Sequence, residues 1–264
     1  MLKLENVWKV FDPGTINEKT ALKGINLEIK DGEFVTVIGG NGAGKSTLLN
    51  AIAGTWPVTE GKIYIDDIDV TGMPDFKRAS MIGRVFQDPM IGTASDMQLE
   101  ENLALALRRG KKRGLRWGVT KEERAVFRKK LASLGLGLED RMETSIGTLS
   151  GGQRQAVTLL MASMNAPKLL LLDEHTAALD PATASKVLEI SETIVKEQKL
   201  TCLMITHNMT DAINTGDRLI MMNNGKIIVD ISGAEKKKLN KTELLAKFAE
   251  VAGVQEETDS VLLS

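Results

Sequence analysis

A glycine-rich stretch set between an apolar strand and a helix constrains this chain more than any other feature. Gly39-Gly40-Asn41-Gly42-Ala43-Gly44-Lys45-Ser46-Thr47 fits G-x-x-x-x-G-K-[ST], the pattern of a phosphate-cradling loop. Residues 34–38, Phe-Val-Thr-Val-Ile, predict a short buried strand, and 46–53 predict a helix. Strand, glycine loop, helix is the order the chemistry needs. The glycines let backbone N–H groups turn inward onto phosphate oxygens, and the helix N-terminus behind them adds partial positive charge. Lys45 supplies a point charge for the outer phosphates, and the Ser46 hydroxyl suits a divalent cation.

Composition narrows what such a loop can serve. A net charge of −1 gives no global field for nucleic acid, and none is expected as a partner. The single cysteine, Cys202, excludes an intramolecular disulfide, and its place in an apolar strand predicts a packed, inert thiol. Two histidines and no Cys/His ligand spacing exclude a His-rich metal site. No stretch approaches the ~18 apolar residues of a membrane span, and the first residues lack the apolar core of a signal peptide. Any membrane role is therefore expected to be peripheral, through a partner.

Periodicity predicts strands over 2–10 and 21–29, joined at Asp12-Pro13-Gly14, and further strands over 62–66, 81–86, 168–173 and 201–206. The run Leu169-Leu170-Leu171-Leu172 reads as a central parallel strand covered on both faces. Helices are expected over 99–134 with a break near 110–118, and over 150–164, 181–196, 209–214 and 241–252. Asp180 is the expected N-cap of the third of these, with Pro181 at its first position. Asn223-Asn224-Gly225-Lys226 predicts a hairpin between strands 218–222 and 226–231. Strands alternating with helices give an α/β fold with a largely parallel sheet and antiparallel additions. The strand-poor stretch 89–166 reads as a helical subdomain inserted in a core of 1–88 and 167–232. A C-terminal helical segment, 233–254, and a frayed tail, 255–264, complete the domain.

Three further stretches define a second constellation. Leu149-Ser150-Gly151-Gly152-Gln153 opens a helix with glycine-freed N–H groups and a hydroxyl, which makes a second anion site or simply a flexible N-cap. Asp173-Glu174 ends the Leu169 strand, and alternation points the two carboxylates in different directions, one toward a metal shell and one toward an attacking water. His207 leaves the end of the next strand, where open α/β sheets bind ligands.

Together these residues resemble the ATP-binding cassette ATPase family over 2–231, nearly the whole chain, with the motifs in order. The resemblance implies ATP and Mg²⁺ as ligands. It places Phe11 against adenine, 39–47 as the Walker A loop, and Gln87 between Mg²⁺ and a transmembrane partner. Ser150, Gly151, Gly152 and Gln153 then belong to the LSGGQ signature, Asp173 to the metal site and Ser46 with it. Glu174 is implied as the catalytic carboxylate, His207 as the switch histidine, and 178–180 as the D-loop. The family arrangement is a head-to-tail dimer, a homodimer here, in which each ATP lies between one Walker A loop and the other copy's signature. Transport then requires an integral membrane permease and, in importers, a substrate-binding protein, with the ATPase at the cytoplasmic face of the membrane.

Departures from the family pattern are His175 where Pro usually follows the glutamate, Asp67 where Gly is common, and Met161-Ala162-Ser163 in place of an Arg-Ala-Leu-like run. His175 frees φ and adds an N–H and a titratable ring, which leaves a neutral change or a tuned hydrolysis step as alternatives. Residues 108–130 carry eleven Lys/Arg against two Glu, with Trp117 among them. They read as a solvated face or as a contact for acidic headgroups or an acidic permease surface. Lys236-Lys237-Lys238 reads as a solvated run. Three uses of the cassette are weighed: a transporter subunit, a soluble ATPase of the assembly, translation or repair type, and a regulator without turnover. One Walker A loop, an intact LSGGQ and the presence of Glu174 and His207 favour the first. Import, with an amino-acid-like substrate, is the expected direction, and export the alternative.

Overall fold

The computed structural model describes residues 1–111 and 118–252, with side chains described to residue 249. The chain runs β1 (Leu2–Phe11), β2 (Lys19–Ile29), β3 (Phe34–Ile38), α1 (Lys45–Ala53), β4 (Glu60–Ile65), β5 (Ile68–Asp69), α2 (Asp75–Arg78) and β6 (Ile82–Val85). It continues through α3 (Leu99–Leu107), α4 (Lys121–Ala132), α5 (Gly151–Ser163), β7 (Leu169–Asp173) and α6 (Pro181–Gln198). It ends with β8 (Thr201–Ile205), α7 (Met209–Asn214), β9 (Arg218–Asn223), β10 (Lys226–Ser232), α8 (Gly233–Lys238) and α9 (Lys241–Ala252).

Two sheets form. The first is antiparallel in the order β2-β1-β4-β5, and the second has the order β10-β9-β3-β8-β7-β6. In the second, β9-β3-β8-β7-β6 pair in parallel and β10 closes the edge antiparallel to β9. The α/β class and the antiparallel additions are as the periodicity predicts. The leucine run explains itself here. Leu170 and Leu172 face the core beneath α3–α6, whereas Leu169 and Leu171 face the core shared with the first sheet and α1. β8 alternates in the same way, with Cys202 and Met204 on one side and Leu203 and Ile205 on the other. A strand apolar on both faces can lie only inside such a sandwich. Cys202 is fully buried there and its thiol is pushed well up by that burial, so it is the inert packing residue expected.

Between β6 and β7 the described residues hold helices and a single bridge, Gln98 to Ser145. β5 and α2 are additional to the expected elements: each is four residues or shorter and lacks a full period of apolar positions, and the expected helical segment 233–254 is divided into α8 and α9. The basic stretch is corrected in part. Arg108 makes a bidentate pair with Glu123 at 2.9 Å, Arg124 Nε donates to buried Glu100 at 2.7 Å, and Arg109 donates to the Ala162 carbonyl at 3.0 Å. These arginines clamp α3, α4 and α5 together and are not a free solvated face. Trp117 and its basic neighbours 112–116 lie outside the described residues, as does the tail 255–264. Lys236 is also corrected. It is only 4% exposed, and its ammonium donates to the carbonyls of Thr215 and, at 3.0 Å, Gly216. Burial lowers its pKa to about 8. Lys237 and Lys238 are exposed as expected.

Arg78 fixes the far end of the phosphate helix. It is 2% exposed and donates to the carbonyls of Ala51 (2.9 Å), Ile52 (2.8 Å), Thr71 (3.0 Å) and Met73 (2.8 Å). The last carbonyls of a helix lack intrahelical partners, and a guanidinium both satisfies them and opposes the dipole. Gly54 follows at φ +84°, where a Cβ would lie 2.7 Å from Arg78 Nε. Replacing Arg78 with Met is expected to cost about 3 kcal/mol in urea unfolding. A loss under about 1 kcal/mol would show that another group holds the end of α1.

Candidate nucleotide site

Parallel pairing brings the chemistry to one edge. β3 runs into Gly39–Lys45, β8 into His207, β7 into Asp173 and Glu174, and β6 toward Gln87. Asp173 stands opposite Ile205 in the β7–β8 ladder, and the Glu174 N–H donates to the Ile205 carbonyl at 3.0 Å.

The loop is built on strained backbone that only glycine adopts freely. Gly39 has φ +152°, and a Cβ there would lie 2.2 Å from the Met222 carbonyl oxygen. Gly44 has φ +103°, with the Ala21 oxygen 2.7 Å from its Cβ position. Gly44 is also the N-cap of α1. No side chain caps this end and no acid stands in its first turn, so the positive end of α1 suits an anion. Lys45 is 7% exposed, and its ammonium donates to the carbonyls of Gly39 (2.7 Å) and Gly40 (3.3 Å), folded across its own loop. Burial lowers its pKa, with Glu174 and Asp173 opposing that shift.

A cavity of about 560 Å³ opens over the loop. Phe11, Asn41, Gly42, Ala43, Gly44, Lys45, Ser46, Thr47, Gln87, Asp173 and Glu174, singled out in the sequence, are brought together in its lining. Gly39 is not part of its lining. His207 stands beside Glu174, Nδ1 to Oε2 at 3.6 Å, and is 59% exposed. Ser150, Gly151, Gly152 and Gln153 are not part of this wall. Ser150 is the N-cap of α5, its Oγ accepting from the Gln153 N–H at 3.3 Å while Gln153 Oε1 accepts from the Ser150 N–H at 3.2 Å. Gly152 is buried, and a Cβ there would lie 2.0 Å from Thr183 Cγ2. Its lack of a side chain is thus required by the packing of α5 on α6, whereas Gly151 is exposed.

Sequence reasoning missed Asp12, Asn17, Lys19, Ala21 and Trp56 in this wall, and Arg84 against Asp173. Trp56 meets Phe11 edge-on, with ring centroids 5.2 Å apart and planes at 89°, and the Lys9 ammonium lies 4.8 Å from the Phe11 centroid. An aromatic in the loop just after the phosphate helix was the available signal. Arg84 is the other omission. It reaches Asp173 Oδ2 at 3.4 Å and Thr55 at 3.3 Å and covers the Phe86 ring at 4.5 Å. Burial raises the Asp173 pKa, and Arg84 works against that rise.

The donor set fits a hard divalent cation. Ser46, Gln87 and Asp173 offer oxygen atoms on one wall, and Asp173 is a desolvated carboxylate that a dication would stabilise. No group of His, Cys, Asp and Glu among the described residues forms a metal cage alone, so the remaining ligands must come from phosphate and water.

His175 is 2% exposed, and burial lowers its pKa to about 4. The unfolded chain takes up a proton near the ordinary value of 6.5 and the folded chain does not, so this group's stability is complete above that value and lost toward pH 4. Lowering pH from about 7 to about 5 should therefore cost roughly 2 kcal/mol more in wild type than in a His175→Gln variant, read from urea unfolding. Equal losses would mean that His175 is accessible to protons.

The ABC transporter family model matches residues 22–177, a span that includes the phosphate loop, the signature and the acidic pair. The chain is 42% identical over 252 residues to a tyrosine transport ATP-binding protein of Clostridioides difficile, covering 94% of this chain and 98% of that one. It is 34% identical to an energy-coupling factor transporter ATP-binding protein of Clostridium acetobutylicum, covering 93% and 84%. Among solved structures it resembles a dimeric ATP-binding cassette in a post-hydrolysis state bound to ADP and Pi. That match has a TM-score of 0.74 at 34% identity, covering 88% and 98%. With this family match on this fold, the chain belongs to the ABC transporter family and is an ATP-hydrolysing transporter subunit.

Proposed function

We propose that the chain powers a solute importer for an amino-acid-like substrate, working as a homodimer bound to a separate permease at the cytoplasmic face of the membrane. The observation that carries the reading is the division of the site. One wall holds Lys45, Asp173, Glu174 and, beside it, His207, whereas Ser150–Gln153 open a helix outside it. A second copy's signature is the complement such a half-site needs. We take 1–88 and 167–232 as the unit that holds nucleotide and 89–166 as the unit that presents Ser150 to the partner.

Phosphoryl transfer to water is mainly positioning and charge stabilisation. Lys45 leaves the Gly39 carbonyl for the outer phosphates, and the first-turn N–H groups of α1 donate to phosphate oxygens. Phe11, with Trp56 at its edge, supplies the surface for the adenine ring. Ser46, Asp173 and Gln87 would hold Mg²⁺, which when bound would offset the charge of the phosphates. Glu174 takes the proton of the attacking water, and His207, which stands beside that carboxylate, would contact the outer phosphate.

The route to the permease follows Arg84 and Phe86. They line two adjoining grooves with Gly92 and Arg109, flanked by exposed Phe76 and Leu105. Gln155 ties α5 to this loop, its amide donating to the Phe86 carbonyl at 3.1 Å. The amino-acid reading rests on the likeness to a tyrosine transport protein.

Glu174→Gln is expected to bind ATP as wild type does and to lose about 10²-fold or more in turnover, measured by phosphate release. Near-normal turnover would remove Glu174 from the general-base role. With its permease reconstituted in vesicles, ATPase activity should rise when an aromatic amino acid and its capture protein are supplied. Stimulation by another solute class alone would overturn the substrate proposal.

A further inference from the structure

We propose that His175 is a positioning residue for Glu174, a neutral imidazole clip that fastens the backbone behind the general base to helix α6. The inference rests on Glu174 acting as that base. Glu174 has φ +45°, in the left-handed region that is costly for a residue with a side chain. Its N–H is held by the Ile205 carbonyl and its own carbonyl accepts from the Ala177 N–H, both at 3.0 Å. Such a residue keeps its direction only if the chain on both sides is fixed.

His175 fixes the following side. Its Nε2 lies 2.9 Å from Ser191 Oγ, and Ser191, fully buried about three turns into α6, donates its hydroxyl proton to the Val187 carbonyl at 2.8 Å. A hydroxyl has one proton, so toward the imidazole Ser191 only accepts and Nε2 carries the hydrogen. Nδ1 is then a bare acceptor, and it has no hydrogen-bond partner. Burying an unpartnered nitrogen is unfavourable, and an apolar side chain would fill the space without that cost. What the ring gives in return is a directed bond from the Glu174 loop to a rigid helix. The same helix seats the signature helix through Thr183 against Gly152, so α6 carries the alignment of both.

The test is steady-state ATPase activity of the full chain carrying Ser191→Ala, His175→Ala or His175→Gln, each also made in the Glu174→Gln background. Ser191→Ala and His175→Ala should lower kcat about ten- to a hundredfold with KM for ATP within about twofold, and His175→Gln, which keeps an N–H donor, should recover most of it. In the Glu174→Gln background Ser191→Ala should change nothing further, because the clip acts through that carboxylate. Ser191→Ala is a small substitution within a helix and keeps the test open if the His175 variants fold poorly. Unchanged kcat in Ser191→Ala, a kcat loss matched by a rise in KM, or the same loss in the Glu174→Gln background would each overturn the clip. Full activity of Glu174→Gln alone would instead remove the general-base reading, a distinct result.

Discussion

The parallel register of β3, β8 and β7 is the constraint on which the site depends. Val37 stands opposite Ile205, and Ile205 opposite Asp173, so three strands end level with one another. From that line the chain emits the phosphate loop, His207 and the acidic pair within a few residues. A one-residue slip of β7 would turn Asp173 to the face opposite the one it now occupies and away from Arg84. Leu169–Leu172 fill the cores on both faces of β7, so the polar residues that flank the run, Lys168 and Asp173, mark where the strand begins and ends. Core packing and catalytic geometry are here the same interaction.

Charge completes the arrangement. Lys45, Arg84, Asp173 and Glu174 share a poorly solvated corner in which each cation leans on a carboxylate or a carbonyl. The loop is held by the fold itself, and Lys45 donates to the carbonyls of Gly39 and Gly40 within it. Preorganisation of that kind is what a phosphoryl-transfer site requires of its protein. The signature is prepared likewise: the Ser150–Gln153 capping box and the Gly152–Thr183 contact hold the start of α5 without any ligand.

Much of this was legible in the sequence because glycine, lysine and paired carboxylates have few alternative uses at those spacings. Phe34–Ile38, Asp180 as a cap and the Asn224-Gly225 hairpin follow from local chemistry and stand where local chemistry puts them. What could not be read depends on distant partners. The basic stretch looked solvated because charge counts do not reveal that Arg108 meets Glu123 or that Arg124 meets Glu100. Lys236 looked like its neighbours until α8 turned it onto the end of α7. Arg84 and Trp56 enter the site through strand pairing and loop closure, which no pattern within a few residues records.

In the proposed arrangement this chain carries half of a nucleotide site, and ATP joins it to another copy's signature. Sedimentation of the Glu174→Gln protein with and without ATP tests this most directly, with a Ser150→Arg change made in the same background. The account predicts a dimer with ATP, a monomer without it, and a monomer that still binds ATP once Ser150 is replaced. An ATP-saturated protein that stays monomeric, or one whose dimer is indifferent to ATP and to Ser150, would contradict it.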